Sequence, residues 1–450
     1  MSAMFAPQSA ASVTAMETGA TQRETRMLKL SGQADKMLAR LTGRSRAIPA
    51  TGSRPDYRGP AGPSKRPEDS LSIPVCDNSA DDIACRAAQE HGQFLARQDR
   101  WDELAAALAE ADGNRQATPG GMPVADLLAY GARTDVINAA EHALAENRPA
   151  NDPPLLDGIM ALEAIRQQHR SAPHITALVA LAHIDIGWAW RGTGRDTVVP
   201  RVNRRRCAAH FDRASALLSG LEETAQHSPM VAAARCAMRA GLRAGCKDIA
   251  DGYERLIDLD PANHRHMRAL GSHMLPRWHG SYPALELEAR RTAARTAGTW
   301  GAGGYTWVYF DAIAIDEDAC ARVDAEFFLD GLRDIVRLCP GQEMINMLAA
   351  YCAVALRSGT GLNEEADLPR LQIAAAADWL IREHLHELHP LVWAHAADGF
   401  DNSVRVTSAS RFAARGRADA LHFIADLFRE DILGGHHVTF TPEGPRLKPV

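Results

Sequence analysis

The chain has 450 residues, of which 46% are hydrophobic and 24% charged, ordinary globular proportions that suffice to bury a core. The net charge of -6 is unevenly divided, because residues 1–75 hold 11 basic and 6 acidic residues while the rest holds 39 basic and 50 acidic. Proteins that grip phosphate backbones carry a basic body, so this acidic one argues against nucleic acid as the main ligand.

Membrane insertion is not expected. The most apolar run, Ile175 to Ala182, is closed by His183 and Asp185, far short of the ~20 residues that a bilayer requires. The N-terminus, MSAMFAPQSAASVTAMETG, lacks a basic segment followed by a long apolar one, so no secretory signal is read there. The cysteines fall at 76, 85, 207, 236, 246, 320, 339 and 352 without a CxxC pair, which predicts reduced thiols in a cytoplasmic protein.

Residues 1–75 are rich in Ser, Ala, Gly, Pro and Thr, with Pro49, Pro55, Pro60, Pro63, Pro67 and Pro74 in the second half. Such a segment buries too little apolar area to offset chain entropy, so it is read as a disordered basic arm. Within it, Arg23 to Arg46 interleaves Met27, Leu28, Leu30, Met37, Leu38 and Leu41 with basic residues. A solvated tail is expected there, with an amphipathic helix on a partner or an anionic surface as the alternative.

From residue 76 to 435 the pattern is helical. Ser79 is an N-cap candidate followed by Asp81 and Asp82, acids that favour a helix N-terminus. WDELAAALAEAD after Asp99 is a second helix. Further windows are 123–147, 153–169, 174–190, 204–219, 229–244, 247–258, 263–275, 282–297, 318–338, 342–357, 371–387 and 409–431. Ser228-Pro229 reads as a cap followed by proline at the first helical position. In the tail, 436–450, Val438 and Phe440 alternate with threonines before a Pro-Glu-Gly-Pro turn, which suggests a small hairpin.

The resulting expectation is an all-α array of helix pairs. Cys207, Phe211 and Ala214 share a small–aromatic–aliphatic spacing that returns as Ile249, Tyr253 and Leu256, with Pro261 beyond. This resembles the second helix of a tetratricopeptide repeat, although Phe211 and Tyr253 are 42 residues apart rather than the ~34 of a regular repeat. Gly187 would let a neighbouring helix approach. From Leu256 to Tyr351 the chain resembles an uncharacterised bacterial family of tetratricopeptide-like helical proteins. The matching residues are Leu275, Pro276, Arg277, Trp278, Gly280, Ser281, Ala289 and Arg290. That resemblance implies a helix-pair solenoid and no particular activity.

No catalytic residue, metal ligand or cofactor is assigned. His384, His386 and His389 lie close together, but a zincin needs HExxH. Here His389 comes one residue too soon after His386, which shares its face if the segment is helical. His264, His266 and His273 lack a carboxylate at ligand spacing. An EF-hand beginning at Asp316 would place Cys320 and Ala321 at positions 5 and 6, so Asp316 is read as a helix cap. The glycines 298, 301, 303 and 304 lack the strand and lysine of a phosphate loop and are read as a turn, and Glu364-Glu365 as part of a polar loop.

Two features remain as candidate binding residues. Arg191, Arg195, Arg201, Arg204, Arg205 and Arg206 form a basic patch opposed only by Asp196, suited to carboxylate or phosphate groups. Trp188, Trp190, Trp278, Trp300, Trp307 and Tyr309 are inter-helix plugs or groove aromatics. The expected function is a scaffold for a protein or peptide partner. The alternatives are an enzyme, metal-dependent or metal-free, with a site between helices near Trp278–Tyr309 and the 384–395 histidines, or weak nucleic-acid association through the arm.

Overall fold

Ser79 starts the first helix as its sequence predicts. Its Oγ accepts from Asp82 N at 3.1 Å while an Asp82 carboxylate oxygen accepts from Ser79 N at 3.1 Å, a reciprocal capping box. Ser228 likewise caps the helix that Pro229 opens, through Val231 N at 3.1 Å. Asp316 accepts from Ala319 N at 2.9 Å, so this acid is a cap.

A computed structural model describes residues 66–146, 148, 152–192, 199–242, 245–398 and 408–449. The Arg23–Arg46 segment and Arg195 lie outside them. The first helices are α1 (Ala80–Arg97), α2 (Trp101–Gly113), α3 (Val124–Ala145), α4 (Pro153–Gln168), α5 (Pro173–Arg191), α6 (Arg201–Leu218) and α7 (Pro229–Gly241). There follow α8 (Cys246–Leu259), α9 (His264–His273), α10 (Tyr282–Arg295), α11 (Ala297–Trp300), α12 (Gly303–Ile315), α13 (Glu317–Arg322) and α14 (Ala325–Leu338). The last are α15 (Gln342–Ala350), α16 (Glu364–Ala374), α17 (Ala376–Trp379), α18 (Pro390–Ala397), α19 (Ala409–Leu427) and α20 (Arg429–Leu433).

Most helices pack on neighbours one or two along the chain, as α1 does on α3, α5 on α6 and α12 on α14. Among the described residues two large hydrophobic cores result, with a small third cluster of Cys85, Met122 and Leu127. One is built around Leu104, Leu178, Phe211 and Leu218, the other around Trp307, Phe328, Tyr351 and Trp393. Helix α7 serves both, giving Val231 and Ala234 to the first and Ala232 and Cys236 to the second. Phe211 plugs the gap between α5 and α7: a Cβ on Gly187 would lie 3.1 Å from its ring and one on Gly241 1.9 Å.

Helix α12 is buried on all sides from Gly303 to Phe310. Tyr305, Thr306, Trp307, Val308 and Phe310 have no exposed surface. Such a helix shows no apolar periodicity. It meets α9 backbone to backbone, since a Cβ on Gly271 would fall 1.7 Å from Val308 O.

Several boundaries differ from the predicted windows. The 318–338 window breaks at Val323, and Asp324 caps α14 through Phe327 N at 3.0 Å. The 342–357 window leaves α geometry at Tyr351 for a π turn. Glu364-Glu365 is the first turn of α16 rather than a loop, capped by Asn363 Oδ1 accepting from Glu365 N at 3.0 Å. Beyond α17 a π turn over Leu380–His384 ends in extended backbone at Leu385. His386 and His389 therefore do not share a helix face.

A three-stranded sheet completes a predominantly helical fold. β2 (His436–Thr441) pairs antiparallel with β3 (Gly444–Pro449), Val438 opposite Leu447. The connection needs a positive φ, which Gly444 supplies at 105°. β1 (Leu71–Ser72) joins β2 in parallel, Leu71 opposite Val438, and it comes from the span whose composition reads as arm. Val438 and Phe440 face the core, as their alternation requires. Among the described residues no helix is long and apolar enough to cross a membrane. All eight cysteines are free thiols.

Candidate functional site

Extended backbone at 385–389 runs beside residues 74–76. Leu388 N donates to Pro74 O and Cys76 N to Leu388 O, each at 2.8 Å. Outside a helix or sheet, polar backbone groups need partners from side chains. Gln342 and Asn346, one turn apart on α15, supply them. Gln342 Nε2 donates to His384 O at 2.9 Å and its Oε1 accepts from His386 N at 2.9 Å. Asn346 Nδ2 donates to Glu387 O at 3.0 Å, and its Oδ1 accepts from His389 N at 2.9 Å and Trp393 Nε1 at 3.0 Å.

This segment forms one wall of a cavity of about 600 Å³. The start of α1 contributes Asp81, Asp82 and Cys85, the 119–122 loop Met122, and the start of α9 His264 and Arg265. α15 gives Gln342, Glu343 and Met347, and α18 gives Val392 and His395, with Trp300 from α11. Apolar side chains and ionisable groups thus line the same recess.

The polar groups are fixed. Asp81 accepts from Gly120 N at 2.7 Å and from the Thr118 hydroxyl. Arg265 donates to Gly121 O at 2.8 Å, and burial pushes its guanidinium down to about 10. His264 lies 4.3 Å from the Trp307 ring, centroid to centroid. Its Nε2 is buried without a hydrogen-bond partner, and burial holds its pKa well below the usual histidine value. Burial and Asp81 push the Cys85 thiol up to about 12, which leaves it inert as a nucleophile.

His389 is flanked on both ring nitrogens. Nδ1 lies 3.1 Å from Glu343 Oε2 and Nε2 3.0 Å from Glu387 Oε1. Burial opposes a charge on this ring, but the two carboxylates outweigh it and raise its pKa. Burial also opposes the charge of Glu343, which His389 and Ser79 nevertheless hold below the usual carboxylate range. Cys76 completes the group: ligand atoms of Cys76, Glu387 and His389 lie within 4.8 Å of one another. Burial, then Glu387 and Glu343, raise its thiol pKa.

The sequence-predicted binding residues fall elsewhere, with one exception. Trp300 lines the cavity, its Nε1 donating to Pro261 O at 2.7 Å. Trp190, Trp307 and Tyr309 are core residues, so they do not form a groove. Trp188 packs edge-on against Phe211 and Trp278, at 5.2 and 6.1 Å between centroids. Arg191 ends α5 with its guanidinium 5.9 Å from the Trp188 ring centre. Arg201, Arg204, Arg205 and Arg206 are exposed on the first turns of α6, which starts earlier than predicted.

Asp81, Arg265, Glu343 and Cys76 carry no local pattern that marks them as site residues. His389 and His264 belong to histidine clusters visible in the sequence, but their partners come from distant segments. No protein-family model matches the chain, and no curated protein or solved structure matches it.

Proposed function

We propose that the chain binds a small organic molecule, carrying both apolar surface and hydrogen-bonding groups, in the cavity between α1, α9, α15 and α18. One observation carries this reading: a recess of about 600 Å³ combines Met122, Trp300, Met347 and Val392 with His264, Arg265, Glu387 and His389. Its volume falls within the roughly 300–1,000 Å³ of small-molecule sites, where apolar walls and a few fixed polar groups are the rule. The ionisable side chains also give an enzyme reading its proton-exchanging groups. The eight free thiols support a reducing, cytoplasmic setting.

Titration with the amphipathic fluorophore anilinonaphthalene sulfonate tests the site. Saturable one-to-one binding that is lost in Val392→Trp and Met347→Trp, both of which fill the recess, supports it. Binding that ignores both substitutions removes it.

A second reading keeps the chain as a helical scaffold for a protein or peptide. It draws support from three leucines on and just before α16: Leu362, Leu368 and Leu371 are 73%, 66% and 49% exposed. The repeat-like spacing around Phe211 and Tyr253 agrees with it. The test is capture of a stoichiometric partner by the full chain and its loss in a Leu368→Glu, Leu371→Glu double variant.

A further inference from the structure

We propose that Cys76, Glu387 and His389 bind one zinc ion, with Glu343 as the outer carboxylate on the histidine and a fourth coordination position open to the cavity. This goes beyond the organic-ligand reading, because it stands on three side chains that would bind the ion, backed by Glu343, whether or not a second molecule enters the recess.

The donor set points to the metal. A thiolate, an imidazole and a carboxylate suit zinc among the common divalent ions, whereas magnesium and calcium take oxygen ligands alone. Three protein ligands with a free position are the pattern of a reactive zinc rather than of a closed structural one. Tetrahedral zinc sets its ligand atoms roughly 3.3–3.8 Å apart. A group already within 4.8 Å closes onto an ion by small side-chain rotations.

The surroundings supply a second, independent argument. Zinc-bound histidines commonly present their other ring nitrogen to a carboxylate, which fixes the tautomer and strengthens the ligand. Glu343 Oε2 stands 3.1 Å from Nδ1, out of hydrogen-bond line until the ring turns slightly, and Nε2 is left toward Glu387, with which it is hydrogen-bonded at 3.0 Å. The ligand backbones are held before any ion arrives: Cys76 by Leu388, Glu387 and His389 by Asn346. All four residues line the cavity, so the open position faces the space where an organic ligand would sit.

Charge balances as well. A thiolate and one carboxylate offset the two positive charges of the ion, with the imidazole neutral. On binding, the thiol proton leaves to solvent, as does an Nε2 proton where the ring carries one, while Nδ1 keeps its proton toward Glu343. Uptake must therefore weaken as the solution is acidified.

Calorimetric titration of the chelator-stripped full chain with zinc chloride tests the proposal, alongside cobalt substitution. One equivalent of zinc is expected, with a thiolate-to-cobalt absorption band when cobalt replaces it. Cys76→Ser should abolish that band and weaken zinc binding more than 100-fold, and Glu387→Gln should weaken it comparably. Glu343→Gln should cost 10–100-fold through the outer carboxylate alone. Cys207→Ser, on α6, should change nothing. Val392→Trp should lose the fluorophore and keep zinc, which separates failure of the organic site from failure of this one. No saturable zinc binding in the wild type, or binding that survives Cys76→Ser with its cobalt band intact, overturns the proposal.

Discussion

Asn346 holds the backbone of His389 from 43 residues away, its Oδ1 accepting the His389 N–H at 2.9 Å while Nδ2 donates to Glu387 O. The same oxygen accepts from Trp393 Nε1, and Asn346 has no exposed surface. Removing the amide would strand three buried groups, each costing about 1–3 kcal/mol when left unpaired. Asn346→Ala should therefore destabilise the fold by about 3–5 kcal/mol in urea unfolding. Asn346→Leu, of similar size, removes the same hydrogen bonds without opening a cavity, and should still cost most of what Asn346→Ala costs. A near-neutral Asn346→Leu would mean that the amide contacts are unimportant.

Where α1 crosses α3 the two backbones touch through glycines. A Cβ on Gly131 would lie 1.9 Å from Gln89 O, and one on Gly92 2.1 Å from Leu128 O. Neither contact can be relieved by rotating a side chain, so Gly131→Ala must push the helices apart. A loss of about 3 kcal/mol is expected, with weaker fluorophore binding because α1 carries Asp81 and Cys85 to the cavity wall. Gly113→Ala is the control. Nothing lies within 4 Å of its Cβ, and it should be neutral or stabilise by about 0.5 kcal/mol. Equal effects of the two substitutions would contradict the crossing geometry.

What could be read in advance was what local chemistry decides. Ser79, Ser228 and Asp316 announce helix starts because a cap is a contact across three residues. Val438 and Phe440 announce the hairpin because one face is buried. Helix α12 has no exposed face to set a period, so its opening glycines read as a turn. The 384–389 histidines read as helical because nothing near them shows that Gln342 and Asn346 will take over their backbone hydrogen bonds. The cavity draws on Cys76, Arg265, Glu343 and His389. Their juxtaposition belongs to tertiary packing, and no spacing rule reaches across such distances.

Arg133 and Asp185 form an ion pair at 2.7 Å between α3 and α5, with side chains only 3% and 9% exposed. Arg133 Nη1 has no partner of its own, so the carboxylate is its main compensation. Breaking a buried pair from one side leaves an uncompensated charge and typically costs about 3–5 kcal/mol. Asp185→Asn should show that loss by chemical denaturation. Arg133→Met with Asp185→Leu should recover most of it, because neither charge then needs solvation. If the single variant costs under about 1 kcal/mol, the guanidinium reaches water in solution.

Acid should destabilise the protein well above the carboxylate range, because of its buried histidines. Burial holds His266 and His273 down to about 3. One nitrogen of each ring is already committed, His266 Nε2 to Asn263 Nδ2 and His273 Nδ1 to Tyr253 Oη, both at 3.0 Å. An unfolded chain takes up protons near 6.5. Below that value the unfolded state binds protons that the fold excludes, so stability falls as pH drops from about 6.5 toward 3. By linkage each histidine costs about 1.4 kcal/mol at pH ~5.5 relative to pH ~7.5, or about 3 kcal/mol for the two. His210, held at about 4 by burial with His183 and Arg206 nearby, adds to the same slope. Asp126 works in the other direction: raised to about 6 by burial, it takes up a proton in the fold first and returns about 0.8 kcal/mol over the same interval. The net sign is destabilising. Urea midpoints measured between pH ~7.5 and ~5.5 should fall, and His273→Gln should shrink the fall by about 1.4 kcal/mol. A midpoint that stays level over this range, in wild type and variant alike, would mean that these rings take up protons within the folded state.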